Sequence, residues 1–186
     1  MKRLKVALAA AALALLASQA DAQVIFKAPM EFAGTGCKPG SYTFAGDGTD
    51  TLTVMFSAYD AGNPASQAAS GMQRTSCNFA VPVQVPAGYQ VSTMTSDWRG
   101  YAKGATQLRR EYFFAGQRGP AKTTKPSGNF VERDDLAHAT FSKCGGDVML
   151  RINSSTNATG PNSYIAVDTV DLQNKVVFQV KWRTCR

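Results

Sequence analysis

Apolar residues recur at every second position in several short segments of this chain, and this period constrains the fold more than any other feature. In residues 77–85 (CNFAVPVQV) the cysteine and alternate apolar residues share one face, and residues 51–59 (TLTVMFSAY) and 176–182 (VVFQVKW) repeat the pattern. A period of two is that of a strand with one buried face, not of a helix. Weaker segments of the same kind are residues 23–27, 41–44, 89–95, 108–114, 147–153 and 164–170.

Composition after residue 22 also favours strands. That part of the chain has 13 Val, 16 Thr and 18 aromatic residues, but only 5 Leu and 3 Glu. β-branched and aromatic residues suit a pleated, half-buried surface, whereas Leu and Glu are among the better helix formers. Turn signals rich in Gly, Pro and Asn separate the segments. About nine short strands of this kind indicate a sandwich or a barrel, and we expect an all-β, antiparallel β-sandwich.

The first 22 residues have the form of a secretory signal peptide. Residues 1–5 (MKRLK) are basic, residues 6–16 (VALAAAALALL) are apolar, and Ala20 and Ala22 are small residues at the −3 and −1 positions. As a helix the apolar run is about 17 Å long, too short for a bilayer core of roughly 30 Å. We therefore expect cleavage near Ala22, a secreted or periplasmic protein, and one domain over residues 23–186.

The chain has four cysteines, an even number that in an oxidising compartment favours two structural disulfides. Three connectivities are possible, and we expect nearest-neighbour pairing, which closes two loops of similar length. A zinc site would require CxxC spacing, which is absent. No metal or other cofactor is predicted. The disulfide cysteines are Cys37, Cys77, Cys144 and Cys185.

Positive charge is concentrated partly in one segment. After residue 22 there are 17 basic and 12 acidic residues, a net charge of about +5. Residues 115–129 (AGQRGPAKTTKPSGN) contain no acid and no alternation, which predicts a long basic loop. Its cations, Arg118, Lys122 and Lys125, are the candidate contact for an anionic surface or polysaccharide, through an attraction that salt weakens. No nucleic-acid partner is expected, because an exported protein seldom meets one.

Candidate catalytic groups are few. His138 is the only histidine, no GxSxG motif is present, and two disulfides would leave no thiol nucleophile. The turn at residues 47–50 (DGTD) is interpreted as a hairpin and not as a calcium loop. We predict no catalytic residue. Carboxylates considered as glycosidase pairs, none of them distinctive, are Glu111, Asp134, Asp135, Asp168 and Asp171.

Short motifs in a fixed order give a more specific signal. They are residues 36–41 (GCKPGS), 56–59 (FSAY), 74–78 (RTSCN), 86–89 (PAGY), 99–101 (RGY), 142–146 (SKCGG) and 181–185 (KWRTC). This order resembles the secreted family catalogued as domain of unknown function 4360, found in bacteria and fungi, over nearly all of residues 23–186. Lys143 departs from the Pro that the family often has there. The resemblance implies export and a disulfide-crosslinked β domain, and it implies no activity.

These observations favour a non-enzymatic binding or envelope-associated module, with residues 117–125 as the contact. One alternative is a secreted hydrolase of polysaccharide or protein, and another is a protease-inhibitor-like module that presents one long loop. A hydrolase needs titratable groups that converge in a cleft, whereas a binding module needs an exposed basic or aromatic patch. The geometry of the polar groups therefore distinguishes these hypotheses.

Overall fold

The computed structural model describes residues 24–62, 72–136, 139–167 and 176–185, of which 72, 93–94 and 176–181 are described by their backbone alone. The signal segment, His138, Asp168 and Asp171 lie outside this part. The described chain contains strands and no helix. The strands are β1 (Ile25–Phe26), β2 (Glu31–Ala33), β3 (Tyr42–Ala45), β4 (Thr51–Phe56), β5 (Asp60–Gly62), β6 (Met72–Gln84), β7 (Tyr89–Phe114), β8 (Ala121–Thr124), β9 (Gly128–Asp135), β10 (Val148–Val167) and β11 (Val176–Thr184).

All strand pairings among the described residues are antiparallel, which confirms the predicted all-β class. The strands follow the order β1-β6-β10-β7-β11-β4-β3, with β2 beside β6, β5 beside β10, and β8 and β9 beside β7. Three strands are long: β6 has 13 residues, β7 has 26 and β10 has 20. The fold therefore depends on a few long strands that change partners along their length.

The longest strand, β7, belongs to two layers. Its first half lies between β11 and β9, where Asp97 is opposite Val177 on one side and Arg133 on the other. Its second half lies between β10 and β8, where Arg110 is opposite Ser154 and Lys122. One layer is therefore β9-β7-β11-β4-β3, and the other is β1-β6-β10-β7-β8.

Ring contacts show that these layers pack face to face. Phe79 on β6 stacks on Phe56 of β4, with ring centroids 5.7 Å apart. Phe32 on β2 lies 4.1 Å from the ring of Tyr42 on β3. In a flat sheet four strand spacings would separate β6 from β4, about 19 Å. The sheet therefore folds over on itself, and the two inner faces meet as in the predicted β-sandwich.

The core lies between the inner faces. Every second residue of β4 is buried, and in β10 the residues from Leu150 to Ala158 follow the same alternation on one face. Burying an aliphatic or aromatic side chain of this kind contributes about 1.5–3 kcal/mol. The largest fully buried side chains are Trp98, Arg110, Tyr59, Tyr112, Phe26, Phe79, Leu52, Leu108, Leu150 and Ile152.

The predicted disulfide pairing is confirmed. Cys37–Cys77 lies within the core, with both residues at most 1% exposed. Cys144–Cys185 lies near the surface, where it joins the end of β11 to the connection that precedes β10. Backbone bonds reinforce this second link, because Gly145 N donates to Tyr89 O and Cys185 N donates to Gly88 O.

One sequence-based prediction of local structure is wrong, and a second is right about which residues form strand but not about how far the strand extends. Residues 115–129 are not one long loop, since β8 forms within them and pairs with Leu108–Glu111 as an edge strand. Edge strands often bear lysine and little apolar alternation, as here. The short strands predicted at 89–95 and 108–114 are two parts of β7. Gly100 and Gly104 interrupt the alternation between them.

Candidate functional site

The outer face of β6, β10, β7 and β8 is polar around residues 153–157 of β10, whereas Phe113 and Ala80 lie opposite Arg151 at one end of it. Because Ile152, Ser154 and Thr156 of β10 point into the sandwich, the residues between them point outward. In the register of the sheet, Asn157 lies between Arg74 of β6 and Gln107 of β7. Further outward-facing residues of β10 and its neighbours are Arg151, Asn153, Ser155, Ser76, Asn78, Arg109 and Glu111.

Cations predominate on this outer face. Arg74, Arg151 and Lys125 are exposed. Arg109 pairs with Glu111 at 2.9 Å. Among the described residues of β6, β8, β10 and the part of β7 from residue 100 to residue 114, Glu111 is the one carboxylate. Glu31 of β2 borders the face beyond Ala80, opposite the edge that holds Lys125. The face around Lys125 therefore has a positive potential.

A groove opens in the outer face where β8 and β9 leave a gap along β7. In the described registers β9 pairs with residues 95–102 of β7 and β8 pairs with residues 108–111, so residues 103–107 face residues 125–127 instead of a strand. Thr106 Oγ1 donates to Pro126 O at 2.9 Å and fixes that connection. The groove has a volume of about 360 Å³. It is lined by Gly104, Ala105, Thr106, Gln107, Lys125, Pro126, Ser127, Asn157 and Thr159.

The groove combines one cation with two amides. Asn157 Nδ2 donates to Gln107 Oε1 at 3.3 Å, which leaves Gln107 Nε2 as a donor. Asn157 Oδ1 is buried and has no hydrogen-bond partner. A buried acceptor without a partner is unfavourable by about 1–3 kcal/mol. No carboxylate is among the residues that line the groove, so its chemistry is that of a binding site for polar or anionic groups.

The structure separates the three cations of the predicted contact. Lys125 lines the groove on the outer face. Lys122 lies opposite Arg110, so it extends from the other face of β8. Arg118 is exposed in the connection between β7 and β8. Of the three, Lys125 is the one that lines the groove described above; Gln107 and Asn157, which also line it, were not among the predicted residues.

A buried ionic network occupies the core instead of a reactive cleft. Arg110 Nε and Nη2 donate to the two carboxylate oxygens of Asp134 at 2.7 and 2.9 Å. Tyr112 Oη donates to Asp134 Oδ2 at 2.6 Å and accepts from Trp98 Nε1 at 2.7 Å. Burial and, secondly, the Asp134 charge raise the pKa of Tyr112 well above its usual value. Arg110 is 0% exposed, so the network stabilises the fold and does not meet a substrate.

The remaining candidate carboxylates do not converge in the described part of the chain. Asp47 lies in the turn between β3 and β4, and its Oδ1 accepts from Ala28 N, between β1 and β2, at 2.9 Å. Asp135 is exposed on β9, and Asp134 is in the core network. The described residues contain no group of three or more His, Cys, Asp or Glu side chains that could hold a metal ion. They also include no helix long and apolar enough to cross a membrane.

Comparisons with known proteins give the following. A family model described as "Domain of unknown function (DUF4360)" matches residues 28–185. An uncharacterized secreted protein of Arthroderma benhamiae is 27% identical over 174 residues, which are 83% of this chain and 69% of the relative.

Solved structures give only distant likenesses. The structure of TmCBM61 in complex with beta-1,4-galactotriose aligns at a TM-score of 0.37 and 8% identity, over 84% of this chain and 89% of that chain. The enzymatically active domain of tailspike protein 4 of bacteriophage CBA120 aligns at 0.27 and 9%, over 84% of this chain and 19% of that one. Scores this low support no inference about this chain.

Proposed function

The chain belongs to the family described as domain of unknown function (DUF4360), and we propose that it is a secreted, non-enzymatic module that binds an anionic polysaccharide on the outer face of β6, β10, β7 and β8. The observation behind this proposal is the excess of cations over carboxylates on that face. Arg74, Arg151 and Lys125 are exposed there, and Glu111 is already paired with Arg109. A polymer of acidic sugars would neutralise this charge at several points at once.

The dimensions of the face suit a polymer. Residues 151–157 span about 20 Å along β10, and four strands span about 14 Å across. A chain of acidic units lying on the face could meet Arg151, Arg74 and Lys125 together. Several weak contacts on one polymer raise its overall affinity without any single tight site.

A polysaccharide suits the face better than a lipid surface does. Membrane-surface binding combines cations with apolar side chains that enter the lipid. Of the exposed large apolar residues of the described chain, Phe44, Val131 and Trp182 lie on other strands, and Tyr101 lies on the part of β7 that pairs with β9. Between the cations the face instead presents the amides of Asn78, Asn153 and Gln107, and amides donate to and accept from hydroxyl groups.

The alternatives gain no support from the described residues. A hydrolase needs grouped titratable side chains in a cleft, but the groove is lined by no carboxylate and Asp134 is buried in an ion pair. A protease-inhibitor-like module would present one long loop, and residues 115–129 are the segment predicted above as a long loop. Much of that segment is strand β8 and its connections to β7 and β9.

Retention on an immobilised polyuronate such as alginate, eluted with a salt gradient, tests the proposal. Replacing Arg74, Lys125 and Arg151 together by Ser should move elution to clearly lower salt, because long-range attraction between exposed charges is screened. A neutral dextran matrix should retain neither protein.

The matched control replaces Arg118, Lys122 and Lys143 by Ser, which removes the same charge from elsewhere on the surface. This control should elute close to the original protein. Loss of retention in the control, with retention intact in the face variant, would instead make the basic connection before and within β8 the contact. Equal loss of retention in both variants would show that binding depends on net charge alone, and the proposed face would be wrong.

A further inference from the structure

The groove at the gap between β8 and β9 offers more than positive charge. The residues that line it include the cation Lys125, the amide residues Gln107 and Asn157, and the hydroxyl residues Ser127 and Thr159. Gly104 and Ala105, which also line it, have almost no side-chain volume. A ligand that enters would therefore have donors and acceptors within the lining and little side-chain bulk over this part of β7.

Asn157 has hydrogen-bonding capacity that a ligand could satisfy. Its Oδ1 is buried without a partner, and its Nδ2 bond to Gln107 is long, at 3.3 Å. A ligand hydroxyl in the groove lets this amide turn toward it and exchange the long bond for a better one. Gln107, released in turn, can accept from or donate to a second hydroxyl group.

We infer that the groove is a subsite for one acidic sugar unit, with its hydroxyl groups on the Asn157 and Gln107 amides and its carboxylate on Lys125. This inference rests on the proposed function and names the unit of the polymer that the face would hold. The volume of about 360 Å³ is near the lower end of the range for small-molecule pockets, roughly 300–1,000 Å³. The absence of a carboxylate from the lining favours an anionic ligand over a cationic one.

The probe is glucuronate, compared with glucose, which carries a neutral hydroxymethyl group in place of the carboxylate. Titration of the full chain, followed by backbone amide shifts of residues 104–107 and 125–127, should show saturable glucuronate binding and weaker glucose binding. Asn157→Leu removes the amide and should weaken glucuronate binding about tenfold, the value of one hydrogen bond. Lys125→Met should reduce the affinity for glucuronate to that for glucose.

Two control variants match these changes closely. Asn129→Leu alters an exposed residue of the same type on β9, outside the groove, and Lys122→Met alters the other face of β8. Both should bind glucuronate as the original protein does. Unchanged affinity in Asn157→Leu, or equal competition by inorganic sulfate at matched ionic strength, would overturn the inference.

The two proposals fail separately. If alginate retains the original protein but Asn157→Leu binds glucuronate normally, only the subsite is wrong. If alginate does not retain the original protein, the polysaccharide proposal is wrong, whatever the result of the glucuronate titration.

Discussion

The Arg110 guanidinium and the Asp134 carboxylate form a buried ion pair that bridges the two layers of the sandwich. Arg110 extends from the part of β7 that lies beside β10, and Asp134 extends from β9 in the opposite layer. Both N–H···O contacts are under 3 Å, and neither residue exceeds 3% exposure. The pair fixes how the layers sit on each other, because a shift of either layer would leave a charge buried without its partner.

Removing one member of this pair should be costly. Asp134→Ala should lower the free energy of unfolding by about 3–5 kcal/mol, because the Arg110 charge would stay buried and unpaired. The double change Arg110→Met with Asp134→Leu should lower the free energy of unfolding much less, because it leaves no buried charge without a partner. Urea denaturation measures both. The nearby pair Arg109–Glu111 is partly exposed, so Glu111→Ala should cost at most about 1 kcal/mol. Equal losses at Asp134 and Glu111 would contradict this account.

The two disulfides should differ in their response to reductant. Under native conditions dithiothreitol should open Cys144–Cys185 before Cys37–Cys77, because Cys144 is exposed whereas both core cysteines are buried. Pulsed alkylation followed by mass spectrometry would give the order. Replacing either pair by Ala should cost about 4 kcal/mol through loop closure, since the separations of 40 and 41 residues are nearly equal. Earlier alkylation of Cys37 and Cys77 would contradict this prediction.

Stability should fall in alkaline solution. Burial raises the pKa of Tyr59 above its usual range, against the opposing effect of its 2.9 Å bond to Ser154. The unfolded chain then loses the phenol proton from about pH 10, while the folded chain keeps it. The free energy of unfolding should therefore decrease by about 1.4 kcal/mol per pH unit for this residue above about pH 10, and Tyr112 should act in the same direction.

Urea unfolding at about pH 9 and about pH 11 would test this dependence. Tyr59→Phe should reduce the alkaline slope, whereas Tyr101→Phe, at a residue that is 43% exposed, should leave it unchanged. An unchanged slope in Tyr59→Phe would show that its phenol does not contribute.

Alternation predicted those strands in which one face is buried and the other is not. It located β4, where Leu52 and Val54 alternate with less buried neighbours, and β6, where Phe79 and Val81 do the same. It could not locate the middle of β7. Gly100 lies there, and a larger residue would not fit, because the Ala166 carbonyl and the Phe130 ring occupy the space that a Cβ would need. A residue without a side chain adds nothing to the apolar alternation.

The site was predictable only in part. Lys125 stood out as a cation in a segment without acids, and it does line the groove. Gln107 and Asn157 lie 50 residues apart in the sequence, and only the register between β7 and β10 places them together. The contact between Arg110 and Asp134 was not predictable, because these residues lie 24 positions apart and meet only where the two layers pack together.

The sharing of β7 between the layers also affects the order of folding. This strand pairs with β10 and β11, and the partner of Tyr89 is Thr184, near the far end of β11. Tyr89 therefore cannot pair until Thr184 has been released. Pairings this distant along the chain are slow to form. A ribosome or a translocation pore that releases the chain from its amino end must therefore deliver nearly all of it before either layer can close. Until then one edge of the segment that becomes β7 has no strand beside it. A chaperone that binds extended chains would bind at this edge.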